Sequence, residues 1–217
     1  MKRLITGAFV LFLGACTTLD PYTGTTKTSN TAKGAGIGAA VGAVIGAATA
    51  SKKDRKKGVL TGAAAGAAAG GGIGYYMDVQ EAKLRASLEN TGVRVAREGD
   101  TLRLIMPGNI TFDVNRYDLK SSFHPVLDSV VTVLGEFDKT AIKVAGHTDS
   151  TGSFELNQSL SENRARSVGS YLVAQGIQSA RVQTNGYGPR QPVASNQSAA
   201  GREQNRRVEL RLIPTEG

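Results

Sequence analysis

The chain has 217 residues, including 27 glycines, one cysteine, two histidines and no tryptophan, and its formal net charge is +8. One cysteine excludes an intramolecular disulfide and a multi-cysteine zinc site, and two histidines argue against a histidine-rich metal centre. Residues 91–217 hold 15 basic and 13 acidic side chains, so the region able to fold is nearly neutral and nucleic-acid binding is not predicted. Residues 34–74 contain 12 Gly and 13 Ala, which bury too little apolar area for one globular fold over the whole length.

The first fifteen residues have the pattern of a secretory signal. Lys2 and Arg3 precede an apolar run over residues 4–13, which is too short to span a bilayer as a helix. The sequence therefore predicts a signal peptide over residues 1–15 that is cleaved before Cys16.

The only cysteine follows this segment directly. Leu13-Gly14-Ala15-Cys16 resembles the lipobox of bacterial lipoproteins, which implies that Cys16 is acylated after cleavage. In such proteins an Asp after the cysteine favours retention in the inner membrane, so Thr17 points by resemblance to the outer membrane. Residues 16–33 are rich in Thr, Ser, Gly and Asn and are predicted to form a lipidated flexible tether.

Glycine recurs at every fourth residue in two consecutive segments. This spacing aligns the glycines on one face of a helix, and a smooth glycine face lets a second helix approach closely. A basic run over residues 52–57 separates the segments, so the simplest prediction is a glycine-zipper helical hairpin over residues 34–77 with a basic turn. The spaced glycines are Gly34, Gly38, Gly42, Gly46, Gly58, Gly62, Gly66, Gly70 and Gly74.

The composition of the hairpin leaves two interpretations open. Residues 34–50 and 58–77 carry no charge, which favours a hairpin inserted in a membrane or apposed to one. A Gly/Ala-rich spacer with partial helicity is the alternative, because each Gly costs about 1 kcal/mol relative to Ala in a helix. Whether the hairpin spans a bilayer, and whether it associates into a homo-oligomer, stays open.

The composition of an ordinary globular domain begins after Met77. Residues 78–99 are predicted to be a connector, with a mixed-charge helix at its start, and residues 100–217 the folded domain. Strand patterns alternate with helical patterns, which predicts an α+β fold of βαβαβ type, a sandwich of a mixed sheet and helices preceded by the hairpin. The strand patterns lie at 93–95, 102–106, 142–145, 182–187 and 208–213, and the helical patterns at 123–137 and 154–175.

The second helix of this domain carries an anomaly. Asn157 and Arg164 fall inside its apolar stripe, between Leu160 and Val168 on the helical wheel. An Arg directed at a sheet is costly unless it is paired or faces a polar cleft. The helix alone does not decide between a structural arginine and a guanidinium that binds a ligand carboxylate with two hydrogen bonds.

Four motifs carry a resemblance that covers residues 100–213. Asn157-x-x-Leu160-Ser161-x-x-Arg164-Ala165 resembles the signature helix of the OmpA-like peptidoglycan-binding domain. Three further motifs are similar to that family's opening strand, the end of its central strand and its C-terminal motif: Ile110-Thr111-Phe112-Asp113, Gly146-His147-Thr148-Asp149 and Gly201-Arg202-x-x-Asn205-Arg206-Arg207.

The resemblance implies a ligand and a role. The family binds the peptide stem of murein non-covalently through meso-diaminopimelate, whose free end carries an ammonium and a carboxylate on one carbon. By resemblance Asp149 receives the ammonium and Arg164 the carboxylate. The further contacts that it implies are Thr148, Asn157, Arg206 and Asp113. The expected protein tethers the outer membrane to peptidoglycan from the periplasmic side, with no metal, cofactor or catalytic residue.

Two other functions remain as alternatives. The zipper could be the working part of a membrane-active or envelope-assembly factor, with the wall domain only positioning it. A hydrolase could be built from His147 and Asp149 with a nearby serine, but no nucleophile-elbow motif occurs, so an enzyme is not predicted.

Overall fold

The computed structural model describes residues 17–19, 26–28, 30–51 and 54–215. The predicted signal peptide and the predicted lipidation site at Cys16 lie outside the described residues. The chain divides into two compact units, residues 1–74 and 75–217. Within the segment predicted as a tether, strand β1 (Thr17–Leu19) pairs antiparallel with strand β2 (Thr26–Thr28).

The first unit contains a helical hairpin. Helix α1 spans Asn30–Thr49, and helix α2, which begins at Arg55, runs on to Ser87. A methyl group added at Gly62 would lie 2.9 Å from the carbonyl carbon of Gly42 and 3.1 Å from the Cα atom of Gly46, so the two backbones are in contact. None of the described helices combines the length and the apolarity that a membrane-spanning helix requires.

The glycines that are spaced by four residues differ in environment from those that are not. Added methyl groups at Gly42, Gly46, Gly58, Gly62 and Gly66 would all overlap the backbone of the facing helix, whereas Gly36 and Gly72 face open space. The four-residue register therefore coincides with the line along which the helices touch.

The end of α2 packs as part of the second unit. Met77 and Leu84 are fully buried, and the Tyr76 ring meets Phe137 edge-on at 5.1 Å between centroids. The segment predicted as a connector thus forms part of the packed domain. The strand Arg94–Glu98 lies within the same segment and pairs in the sheet, so the sheet begins before residue 100.

The second unit is built on one five-stranded mixed sheet, as the alternating patterns predict. The strand order is β3-β4-β7-β5-β6, with β5 and β6 parallel and the other neighbours antiparallel. The strands are β3 (Arg94–Glu98), β4 (Thr101–Pro107), β5 (Thr140–His147), β6 (Val182–Gly188) and β7 (Arg207–Pro214). The helices are α3 (Gly108–Thr111), α4 (His124–Glu136), α5 (Phe154–Ala174) and α6 (Ala199–Asn205), with 3-10 turns at Ser121–Phe123 and Ser179–Arg181.

Helix α5 is fixed at both ends and against the sheet. The Ser153 hydroxyl accepts a hydrogen bond from Leu156 N at 3.2 Å as the N-cap, and Gly176, with φ +99°, follows its C-terminus. Gly146 of β5 lies against the backbone of Ser161, where a methyl group would come within 2.8 Å of the carbonyl carbon. This close approach sets the position of Arg164, which lies three residues further along the helix.

One expected strand is absent from its predicted place. Residues 110–113 resemble an opening strand, but the chain leaves β4 through α3, and Phe112 forms only an isolated bridge with Leu119. The helical turn is stabilised by one local bond, from Thr111 Oγ1 to Pro107 O at 2.8 Å, and by one distant bond, from Gly108 N to Arg206 O at 2.8 Å. The prediction of a strand at 110–113 was therefore wrong.

Candidate ligand-binding site

A pocket of about 480 Å³ opens in the second unit beyond the end of β5. Its walls come from the residues after β5, from α5, from α6 and its junction with β7, and from α3 with the loop that follows it. All six residues that the sequence suggested as ligand contacts line it: Asp113, Thr148, Asp149, Asn157, Arg164 and Arg206.

Arg164 is a buried cation at the wall of this pocket. Its Nε donates to Arg116 O at 2.9 Å and its Nη2 to Asp113 O at 3.4 Å, and the guanidinium lies over the Phe112 ring, 5.0 Å from the centroid. The residue is only 5% exposed, and among the described residues no carboxylate oxygen lies within 4.0 Å of its guanidinium nitrogens. Burial lowers the pKa of Arg164, and the nearby Arg206 lowers it further while Asp149 opposes the shift.

Asp149 supplies the negative charge of the pocket. Its Oδ1 accepts a hydrogen bond from Thr151 N at 2.8 Å, and its Oδ2 accepts one from Arg206 Nη1 at 2.6 Å. Burial alone would raise the pKa of Asp149, but the hydrogen bonds from Thr151 and Arg206 outweigh it and keep the pKa below its ordinary value. The carboxylate is therefore ionised at neutral pH.

Two neutral residues complete the wall beside Asp149. The Thr148 hydroxyl is buried with no hydrogen-bond partner among the described residues, although its backbone N donates to Gly188 O at 3.0 Å. Asn157 Nδ2 donates to Thr151 O at 2.8 Å, which fixes the loop whose amide binds Asp149. Thr148 thus brings a polar group without a partner among the described residues to the pocket wall, and Asn157 orders the loop.

The Asp113 carboxylate lies at the rim rather than in the wall. The side chain is 75% exposed and pairs with Lys120 Nζ at 3.4 Å. Its backbone oxygen, not its carboxylate, faces Arg164. Asp113 therefore lines the pocket, but its carboxylate is exposed to solvent.

One charged residue of the pocket, Arg202, stands in the C-terminal motif but was not among the predicted ligand contacts. Its Nη1 donates to Asn196 O at 2.9 Å and to Gln197 O at 3.2 Å. Arg202 lies four residues before Arg206, so the (i, i+4) spacing within the C-terminal motif could have identified it. The other lining residues that sequence reasoning missed are Gly108, Asn109, Phe112, Val114, Asn115, Thr151 and Leu160.

The charges of the pocket suit a zwitterion with an excess of negative charge. Three guanidinium groups, those of Arg164, Arg202 and Arg206, share it with the carboxylates of Asp149 and Asp113. An arginine fork binds a carboxylate with two parallel hydrogen bonds, and an ionised aspartate receives an ammonium. Within the described ranges, no group of three or more His, Cys, Asp or Glu residues is arranged to hold a metal ion.

His147, considered above as part of a hydrolase, lies outside the pocket lining. Its ring stacks on Tyr187 at 5.4 Å between centroids, and neither ring nitrogen has a hydrogen-bond partner among the described residues. Burial, followed by the charge of Arg207, lowers the pKa of His147 to about 4. The imidazole is therefore neutral at physiological pH and has no contact with Asp149 through a hydrogen bond.

Comparison with known proteins agrees with this architecture. The OmpA family model matches residues 111–206, and a YMGG-like Gly-zipper model matches residues 1–78. The "Probable lipoprotein YiaD" of Escherichia coli (strain K12) is 54% identical over 99% of this chain and 96% of its own length. The "Outer-membrane lipoprotein YfiB" of Pseudomonas aeruginosa is 33% identical over 60% of this chain and 76% of its own length.

Among solved structures, the cell wall anchor of the T6SS from Pseudomonas aeruginosa superposes with a TM-score of 0.56 at 28% identity. The match covers 60% of this chain and 96% of that one. With a relative that is similar along its whole length and a family model on the domain that holds the pocket, the chain belongs to the OmpA family and carries a YMGG-like Gly-zipper segment ahead of its OmpA domain.

Proposed function

We propose that this chain is an outer-membrane lipoprotein that binds peptidoglycan non-covalently and so tethers the outer membrane to the cell wall. Acyl chains on Cys16 anchor it, and the OmpA domain faces the periplasm and binds the diaminopimelate of the peptide stem. The names of two relatives, a probable lipoprotein and an outer-membrane lipoprotein, and that of the structural neighbour, a cell wall anchor, support this proposal.

The observation that carries the proposal is the environment of Arg164. Its guanidinium is buried, is oriented by two backbone oxygens and has no carboxylate partner among the described residues. An uncompensated buried charge is strongly destabilising, so such a cation is expected where a ligand supplies the anion. The carboxylate at the free end of diaminopimelate meets this requirement.

Asp149 provides the second half of the recognition. An ionised carboxylate has about four lone-pair positions, and the two hydrogen bonds from Thr151 and Arg206 leave room for a ligand ammonium. Because the ammonium and the carboxylate of diaminopimelate share one carbon, Asp149 and Arg164 bind them at the same time. The Arg206 side chain is partly exposed and adds a second cation beside the ligand carboxylate.

A pair of stem peptides tests this assignment directly. L-Ala-γ-D-Glu-meso-diaminopimelate presents both charged groups at the end of its side chain, whereas L-Ala-γ-D-Glu-L-Lys presents the ammonium alone. Titration calorimetry with the mature chain should give at least about 30-fold weaker binding for the lysine peptide, because Arg164 loses a charge-assisted hydrogen-bond partner. Equal affinities would contradict the role of Arg164.

Matched aspartate variants test the ammonium site. Asp149→Asn keeps the shape of the side chain but removes its charge, and we expect binding of the diaminopimelate peptide to weaken by at least about tenfold. Asp138→Asn is the control, since Asp138 is exposed and is not among the residues that line the pocket. Loss of binding in both variants, or in neither, would argue against the assignment.

The lipid anchor is tested separately. In cells labelled with a radioactive fatty acid, the wild-type chain should incorporate the label and Cys16→Ser should not. Label on the Cys16→Ser chain would overturn the anchor without affecting the assignment of the pocket.

A further inference from the structure

The hairpin of the first unit exposes its largest apolar side chains. Because the glycine faces of α1 and α2 meet each other, the bulky residues of α1 point away from that contact. The residues Ile37 and Val44 are 68% and 69% exposed. Val41 and Ile45 are also exposed. The spacing i, i+4, i+7, i+8 places these four side chains in one stripe along the helix, which we call the outer stripe.

The charged side chains of the same hairpin are concentrated at its turn. Residues 35–50 and 58–74 carry none, whereas residues 52–57 contain five basic side chains and one acidic one. The acidic residue, Asp54, accepts a hydrogen bond from the Ser51 hydroxyl at 2.8 Å, and Arg55, Lys56 and Lys57 are exposed. The hairpin therefore presents an apolar stripe that ends at a cationic turn.

We propose that the outer stripe lies in the interface of an anionic lipid bilayer, with the basic turn on the headgroup phosphates. Apolar side chains on one helix face bury in the boundary between headgroups and acyl chains, and nearby Lys and Arg residues are attracted to anionic lipids. A second copy of the hairpin would cover the stripe but would bring an identical turn, whose net charge is also positive. A bilayer with negative headgroups satisfies both features.

Membrane association of the hairpin is separate from wall binding and does not depend on the acyl anchor. It is therefore tested on residues 16–217 carrying Cys16→Ser, which removes the lipid. The chain contains no tryptophan, so Val44→Trp introduces a single tryptophan, and it lies in the outer stripe. Leu156→Trp is the matched control, because Leu156 is 72% exposed but lies in the OmpA domain.

The probe is a vesicle of phosphatidylethanolamine and phosphatidylglycerol. We expect the fluorescence of Val44→Trp to shift to the blue on these vesicles and that of Leu156→Trp to stay unchanged. Vesicles of phosphatidylcholine alone should give a much smaller shift, and added salt should weaken the effect, because the turn interacts through charge. No shift for Val44→Trp on the anionic vesicles would overturn the proposal.

Flotation with the same vesicles provides a test that needs no fluorophore. The double variant Ile37→Ser and Val44→Ser should bind at least about tenfold less than the parent chain, while Leu156→Ser should bind as the parent does. Lys56→Gln with Lys57→Gln should weaken binding, and Lys143→Gln, an exposed lysine of the OmpA domain, should not.

Circular dichroism of the Ser variants checks that the helices persist. If the double variant keeps its helicity and floats as well as the parent chain, the proposal is overturned. It is equally overturned if sedimentation without vesicles shows a dimer that only the outer-stripe variant dissociates, since the stripe would then be an interface between copies. Binding of the diaminopimelate peptide should be unchanged in all these variants.

Discussion

The glycine hairpin and the OmpA domain both use glycine to bring backbones together, but the result differs between the two regions. Among the described residues of the hairpin, six glycines in regular register do so, three on each helix, and the bulky apolar side chains of α1 are left outside. In the domain such contacts are isolated, as with Gly146 against Ser161 and Gly201 against Ser195, and the sheet buries large side chains such as Leu104 and Leu210. The hairpin depends on backbone contact along its length, whereas in the domain the contacts of Gly146 and Gly186 position the helix that carries Arg164.

The first way to break this comparison is to add a methyl group at the contact between Gly146 and Ser161. We expect Gly146→Ala to lower the free energy of unfolding by about 4 kcal/mol, because the methyl group would overlap the Ser161 backbone. Gly135→Ala in α4 is the control, since that glycine faces open space. Urea unfolding of both variants measures the difference, and similar stabilities would contradict the close approach.

Acidic pH provides the second test, because it should destabilise the domain and leave the helicity of the hairpin unchanged. Burial holds His147 neutral with a pKa of about 4, whereas an unfolded histidine titrates near 6.5. The unfolded chain therefore binds more protons between these values, so the stability is complete above pH 6.5 and decreases by about 3 kcal/mol as the pH falls to 4.

Urea midpoints measured between pH 7 and 4.5 should show this decrease in the wild-type chain. His147→Phe retains a ring against Tyr187 and should remove most of the pH dependence in that window. Residues 35–50 and 58–74 contain no ionisable side chain, so the helicity of these segments should not change. A wild-type midpoint that is flat over this range would show that His147 is not buried as described.

The regular contact of the hairpin is the third target. Gly62→Ala should destabilise the hairpin by about 2 kcal/mol, since the facing backbone must move away from the new methyl group. Amide hydrogen exchange over residues 35–66 should accelerate by about 30-fold, while binding of the diaminopimelate peptide should persist. Unchanged exchange would mean that the glycine faces are not in contact.

The smallest effect should have the opposite sign. Gly36→Ala and Gly72→Ala add a methyl group where space is open, so each should stabilise its helix by up to about 1 kcal/mol through the better helix propensity of alanine. Slower amide exchange in α1 or α2 would show this gain. Destabilisation by Gly36→Ala would instead indicate that this face of α1 is covered.

The sequence was informative where a pattern repeats or where a residue type is out of place. Four-residue spacing predicted the register of the glycine contacts that the structure describes, from Gly38 to Gly66, and polar residues in an apolar stripe singled out Arg164 and Asn157. The alternation of apolar residues predicted the strands and helices of the mixed sheet. Each of these signals reflects burial, which a sequence pattern records directly.

Features that depend on particular tertiary contacts were not predictable in the same way. The turn at 108–111 is fixed by the bond from Gly108 N to Arg206 O, which joins residues far apart in the sequence. Tyr76 packs on Phe137, and this contact makes the end of α2 part of the domain. Arg202 stands in the C-terminal motif, but the loop that supplies its backbone partners, Asn196 O and Gln197 O, follows no pattern in the sequence.

The most direct test of the central claim is retention on purified sacculi that contain diaminopimelate. Arg164→Lys keeps the charge but loses the planar fork, and Arg166→Lys makes the same change two residues away on the exposed side of α5, where Arg166 bonds only Asn163 among the described contacts. We predict that Arg166→Lys is retained like the wild-type chain and that Arg164→Lys is washed off, with the same circular dichroism spectrum for both. Equal retention of the two folded variants would contradict the proposed site.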